Sequence, residues 1–331
     1  MPHSPRPSRR QFFRLTAGGL VAVTGGLGGP AAVRAQGPSV KIGTAVLGDY
    51  SLTAPVLIAL EKGYFKTQGV AAEFQPFRGG PDLVKAVTAN QIQIGITGST
   101  DVPVFRAEGL PVRFVATTVD GNHFTFNVAP GIAKLDELKG KSIGVTRVGA
   151  TTWVFAVMLA KQQGWDPERD VKILGLGGLD AQLAALARGE IHAYVWGDGG
   201  AVTELQGKSK VLLRLDTVTP KWISQSCYCS DEYIKGNKDA IGRALKALFQ
   251  SVRFIRESPK EAFAIVAKTL KWDEAAVARA HQISGPLLSA DGAINVEAID
   301  VMQTTLVEFK AQKQKVPVMD CYTSEFTPVK L

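Results

Sequence analysis

Two stretches decide the fold: DLVKAVTANQIQIGITGSTD, residues 82–101, and AQLAALARGEIHAYVWGDGG, residues 181–200. Each runs from an amphipathic helix through a short polar turn into an apolar strand, then into a loop of small residues that carries an aspartate. A helix feeding a short, nearly continuous apolar strand is the repeating unit of a parallel sheet covered on both faces. Its double appearance predicts two similar α/β lobes.

The surrounding chain has the same grammar. VKIGTAV (40–46), VAAEFQPF (70–77), IQIGITGS (92–99) and VRFVATTV (112–119) read as strands, with helices over 53–65 and the end of 79–90. After a bridge over 123–129 the pattern restarts, with strands at 141–147, 171–177 and 191–197 and helices at 151–165 and 179–190. From Asp239 onward the chain reads as helical, broken at Pro259, and this tail is expected to pack on the outer faces of the lobes. The expected organisation is a first lobe from residues 36–122 and 225–331 and a second from 123–224, joined by a hinge.

The N-terminus adds a compartment. SRRQFFR, residues 8–14, matches the paired-arginine export pattern. An uncharged run from Leu15 to Val33, diluted by glycine, then leads to Val33-Arg34-Ala35, a small-residue cleavage site. Residues 1–35 are therefore expected to be a twin-arginine signal peptide and the mature protein to be periplasmic. The chain has 38 Lys and Arg against 30 Asp and Glu; the signal takes five arginines and no acid, leaving 33 against 30. That balance, without a basic run, argues against a nucleic-acid partner. Cys227, Cys229 and Cys321 match no zinc spacing, so they are expected to be buried thiols or to form one disulfide between Cys321 and one of the pair.

In open α/β sheets a ligand lies beyond the carboxyl ends of the strands. The loops there supply the candidate ligand-binding residues: Asp49, Tyr50 and Ser51 after the first strand, Gly98, Ser99 and Thr100 after the third, and Thr118 and Asp120 after the fourth. Gly149, Thr151 and Thr152 in the second lobe, with Trp196 and Asp198 at its last strand, complete the set. Hydroxyls and backbone amides before a helix favour an oxyanion. The aspartates, Asp101 included, repel a bare anion and pair with an amine or hydroxyl on the same ligand. Of the histidines, His192 and His281 read as packing residues and His123 as a candidate contact. The four histidines are scattered and none opens an HExxH motif, so no catalytic set, metal or cofactor is expected.

Three stretches carry a family resemblance: APVLIALEKGYFKTQGV (54–70), LDELKGKSIGVTRVGATT (135–152) and ALARGEIHAYVWGD (185–198). With them the chain from Val40 onward resembles the periplasmic solute-binding proteins of ABC transporters for nitrate, taurine and aliphatic sulfonates. The resemblance implies a type II-like periplasmic binding protein fold, a monomer that closes on a small organic anion, most of all a sulfonate or taurine-like compound. It would present that solute to an inner-membrane permease and its ATPase. Two departures, Trp196-Gly197-Asp198-Gly199-Gly200 in place of an acid and proline and His192-Ala193 in place of Asp-Ala, bear on the ligand. Related proteins bind aromatic carboxylates or thiamine-precursor pyrimidines, and Tyr50, Trp153, Trp196 and Trp222 offer rings for stacking. A periplasmic enzyme on the same fold, using His123 and the Cys227-Tyr228-Cys229 pair with iron, is the competing class.

Overall fold

The first crossover sets the pattern for the molecule. β1 (Ser39–Thr44) runs into α1 (Tyr50–Glu61), whose N-terminus Asp49 caps by accepting the Leu52 amide. α2 (Tyr64–Thr67), β2 (Ala71–Pro76), α3 (Gly80–Thr88), β3 (Ile94–Gly98), α4 (Asp101–Ala107) and β4 (Val112–Asp120) follow. The chain then builds β5 (Thr125–Val128), β6 (Ser142–Val145), α5 (Thr151–Gln162), β7 (Lys172–Gly175), α6 (Leu179–Ala187), β8 (Ala193–Trp196), α7 (Gly199–Leu205) and β9 (Lys210–Arg214). It returns through β10 (Ile223–Ser230) and ends in α8 (Asp231–Gly236), α9 (Lys238–Glu257), α10 (Pro259–Leu270), α11 (Glu274–Ser284) and α12 (Val296–Glu308). This computed structural model describes residues 37–331, so the expected export signal lies outside the described residues.

The strands form two five-stranded sheets, ordered β2-β1-β3-β10-β4 and β7-β6-β8-β5-β9. The orders are the same pattern twice: three parallel strands, then one antiparallel strand, then an edge strand. The antiparallel member is where each lobe receives chain from the other side. β10 enters the first sheet after the second is finished, and β5 opens the second sheet directly after β4. The chain thus crosses between the sheets at 121–124 and again at 215–222. The crossings are bonded to each other: Asn122 Nδ2 donates to Thr219 Oγ1 at 2.6 Å, and the Gly121 amide to the Trp222 carbonyl at 2.8 Å.

Burial follows position in the sheet. β3, β8 and β10 are covered on both faces and nearly every residue is buried, while the edges β2 and β7 alternate or face solvent. α1 is buried over ten consecutive residues, Tyr50 to Ala59, because the first sheet lies on one side and α9, α10 and α11 on the other. α9 buries a one-sided stripe, including Ile241, Leu245, Leu248, Val252 and Ile255, which is what lets it cover α1. α11 reaches further and packs against α7 of the second lobe as well. Cys227, Cys229 and Cys321 are buried free thiols, so of the two expected states the disulfide is not formed.

Candidate functional site

A cavity of about 40 Å³ lies between the lobes at the carboxyl ends of the parallel strands. The first lobe gives it Asp49 and Leu52 from the start of α1, Thr97 and Gly98 from the end of β3, and Asp101 from the start of α4. The second lobe gives Phe124, Thr146, the Ala150–Thr152 turn into α5, and Trp196. Cross-lobe contacts close it: Trp196 Nε1 donates to the Gly48 carbonyl at 2.8 Å, Arg147 pairs with Asp82 at 2.9 Å, and the Thr100 and Thr151 hydroxyls meet at 2.6 Å.

Two carboxylates face this space under different conditions. Asp49 Oδ1 accepts from Ser51 Oγ, the Leu52 amide and Gln225 Nε2, at 3.0, 3.1 and 3.0 Å, and Oδ2 lies 3.5 Å from His123 Nε2. Burial pushes Asp49 up, but the histidine's hydrogen bond and charge outweigh it and hold the carboxyl below its usual range. Asp101 has no such company. Thr97 Oγ1 donates to Oδ2 at 2.5 Å, Oδ1 has no partner, and burial pushes the group up to about 7.

Of the residues expected at the site, Asp49, Gly98, Thr151, Thr152 and Trp196 line the cavity. Ser99 and Thr100 sit behind it, Ser99 Oγ on Ser226 Oγ at 3.1 Å and Thr100 on Thr151. Others point elsewhere. Tyr50 turns its ring back among Phe263 and His281, with its hydroxyl 3.0 Å from His281 Nδ1. Ser51 is spent on Asp49, Thr118 lies on β4 away from the cavity, and Asp120 is exposed beside Asn295. Gly149 does not line the cavity either; its φ of 84° shapes the turn into α5.

Asp198 also lies outside the cavity wall. It is fully buried under the N-terminus of α1, where Oδ1 accepts the Tyr50 amide at 2.7 Å and Oδ2 the Ser51 amide and Ser284 Oγ at 2.9 and 2.8 Å. Burial and the nearby Asp49 raise it to about 6 against the pull of His123 and these donors. A carboxylate so occupied joins the lobes and has no oxygen to spare for a ligand. Asp49, His123 and Asp198 place one ligand atom each within 4.8 Å of one another, the grouping a metal ion would use. The oxygens of both carboxylates are already engaged by protein donors.

Asp101, expected as a strand-end acid, lines the cavity as well, and sequence reasoning missed Thr97, Phe124 and Gln225. Phe124 and Gln225 come from the ends of β5 and β10, strands that enter against the direction of their neighbours.

A model of the family described as NMT1/THI5 like matches residues 51–262. The chain belongs to the NMT1/THI5-like family. Among relatives of this NMT1/THI5-like chain, the taurine-binding periplasmic protein of Escherichia coli K12 is 32% identical over 151 residues, 45% of this chain and 46% of that one. The 4-amino-5-hydroxymethyl-2-methylpyrimidine phosphate synthase THI5 of Saccharomyces cerevisiae is 25% identical over 228 residues, 63% of this chain, and the chain spans 65% of the yeast protein's length. Among solved structures, the alkanesulfonate-binding protein SsuA of Xanthomonas axonopodis, bound to MOPS, superposes with a TM-score of 0.73 at 18% identity, covering 86% of this chain and 98% of that one. At that identity the likeness shows the fold, two α/β lobes of the periplasmic binding protein kind with a helical C-terminal segment. No helix among the described residues is long and apolar enough to cross a membrane.

Proposed function

We propose that this NMT1/THI5-like protein is the exported solute receptor of an ABC importer, with a small organic anion of the sulfonate or taurine-like class as its solute. One observation carries the reading: the cavity is built half from each lobe, so a molecule held there gains its full set of contacts only when the lobes are together. Bound solute then favours the closed arrangement by the free energy of the contacts made in that state alone. The two crossings at 121–124 and 215–222 are the hinge, with residues 36–122 and 225–331 on one side and 123–224 on the other. A permease and its ATPase would read the closed form. The first turn of α5, with amides unpaired within the helix, is the natural seat for an oxyanion.

The ionisable groups on the cavity wall are Asp49 and Asp101. Phe124 and Trp196 keep one other solute class in play, an aromatic carboxylate or thiamine-precursor pyrimidine. Calorimetric titration of the full chain with taurine, alkanesulfonates, nitrate, aromatic carboxylates and aminopyrimidines decides among them. A sulfonate or aminosulfonate is expected to bind most tightly, and a pyrimidine winning that series would displace the anion class.

Closure has its own test at Gly98. A Cβ there would lie 2.1 Å from Thr151 Oγ1 of the opposite lobe, a contact that exists only while the lobes are shut. Gly98→Ala is expected to hold the lobes apart, to keep the radius of gyration from shrinking when solute is added, and to weaken binding about tenfold or more. Solute-induced compaction in the variant equal to that of the parent chain would remove hinge closure from the mechanism.

A further inference from the structure

We propose that the solute carries an N–H-bearing cationic group, a primary ammonium or an amidinium, that docks on Oδ1 of Asp101, so the site takes amino-anions in preference to plain anions. The inference rests on the receptor reading above and narrows it.

Asp101 is 1% exposed and lines the cavity from the first lobe. One of its oxygens is occupied by Thr97 and the other has no partner at all. A buried carboxylate oxygen without a donor is costly, and such groups are rare unless something else completes them. No protein group hydrogen-bonds this oxygen: the cavity wall contains no lysine or arginine, Arg147, on the neighbouring loop, is turned onto Asp82, and the buried Tyr228 hydroxyl, which feels the Asp101 charge, makes no hydrogen bond to it. Asp49, the other carboxylate on the wall, has His123 and Gln225 and needs nothing more. The site therefore has one uncompensated acid, which matches one cationic group.

The backbone opposite preserves that acid's place. Gly80 opens α3, and a Cβ on it would fall 1.5 Å from Asp101 Oδ2 and 2.8 Å from Thr97 Oγ1. Only a bare backbone lets this carboxylate stand where it does. Burial already brings Asp101 up to about 7, and an ammonium against it would draw the proton off again and hold the group ionised. From the second lobe the first turn of α5, which meets Thr100 through Thr151, borders the same cavity and offers amides to an anionic group, and Leu52, Phe124 and Trp196 add apolar wall. A short carbon chain with an amine at one end and a sulfonate or carboxylate at the other fits all three features.

The test is calorimetric titration of the full chain with matched pairs that differ in the amino group: taurine against ethanesulfonate, β-alanine against propionate, γ-aminobutyrate against butyrate. The amino member of at least one pair is expected to bind about tenfold or more tightly than its partner, and Asp101→Asn to abolish the difference. Plain anions binding as well as their amino partners would overturn the assignment of Asp101 and leave the receptor reading for anions standing. No binding by any member of any pair would overturn the assignment and the anion class together. Should Asp101→Asn fail to fold, the pairwise comparison on the unaltered chain still decides.

Discussion

Asp101→Asn is expected to stabilise the solute-free protein by about 2–4 kcal/mol near pH 8 and to change it little near pH 4. In the folded chain burial carries this carboxyl from 3.8 to about 7. The unfolded chain therefore releases the proton first, and between those two values the folded state binds more protons than the unfolded one. Stability falls as pH rises through that window and the full penalty is present above it. A gap of that size corresponds to roughly 4 kcal/mol, the upper end of the expected gain, and the amide's own unfilled hydrogen bonds take part of it back. Urea denaturation of parent and variant at both pH values measures the difference directly. Equal stabilities near pH 8 would mean that the acid is already compensated in the solute-free protein. A side chain that weakens the empty protein yet sits in a cleft has the energetic signature of a group kept for its ligand.

The parts of the fold legible in the sequence are those where hydropathy reports burial. α3 with β3 and α6 with β8 are amphipathic helices feeding apolar strands, and both halves of the molecule are visible in them. β10 shows where that signal fails. The hydropathy pattern assigns no element to ISQSCYCS, yet all eight residues are buried in an interior strand of the first sheet. Several of its polar side chains find partners inside the protein: Ser224 Oγ accepts the His123 amide, Ser226 meets Ser99, and Gln225 donates to Asp49, while Gln225 Oε1 and the Tyr228 hydroxyl have none. Those partners are over a hundred positions away, except in the fold, and no local pattern announces them. β5 is four residues long with Thr125 and Asn127 in it and reads as a bridge for the same reason. The site inherits this unevenness. The strand-end rule leads to Gly98, Thr151, Thr152 and Trp196, because their positions depend on parallel strands alone. Tyr50 and Asp198 also stand at strand ends, but one swings into helix packing and the other meets amides contributed from the opposite lobe.

His123→Ala is expected to cost about 3–5 kcal/mol near neutral pH, the range for removing one member of a buried ion pair. The imidazole has no exposed surface, stands on the first crossing between the sheets, and lies 3.5 Å from Asp49 Oδ2. Burial alone would push its pKa down, but the hydrogen bond and charge of Asp49 and the charge of Asp198 raise it above the usual value. A histidine raised on folding contributes stability that is complete below its unfolded pKa and is lost as pH rises through the folded one. Without it, Asp49 and Asp198 confront each other in the interior with no cation between them. The variant has a partial escape, because Asp198, which the His123 charge pulls down in the parent chain, is freed to take up a proton at higher pH. Its deficit relative to the parent chain should therefore shrink near pH 5, where one of the two charges is gone. His123→Gln separates charge from hydrogen bonding, since it keeps an N–H donor; it should recover little if the charge dominates. A deficit equal at both pH values would make His123 a packing residue under Phe124, whose ring lies 4.7 Å away, and nothing more. With the charge account upheld, the three side chains hold the first-lobe strand end, the crossing between the sheets and the second-lobe helix in one cluster.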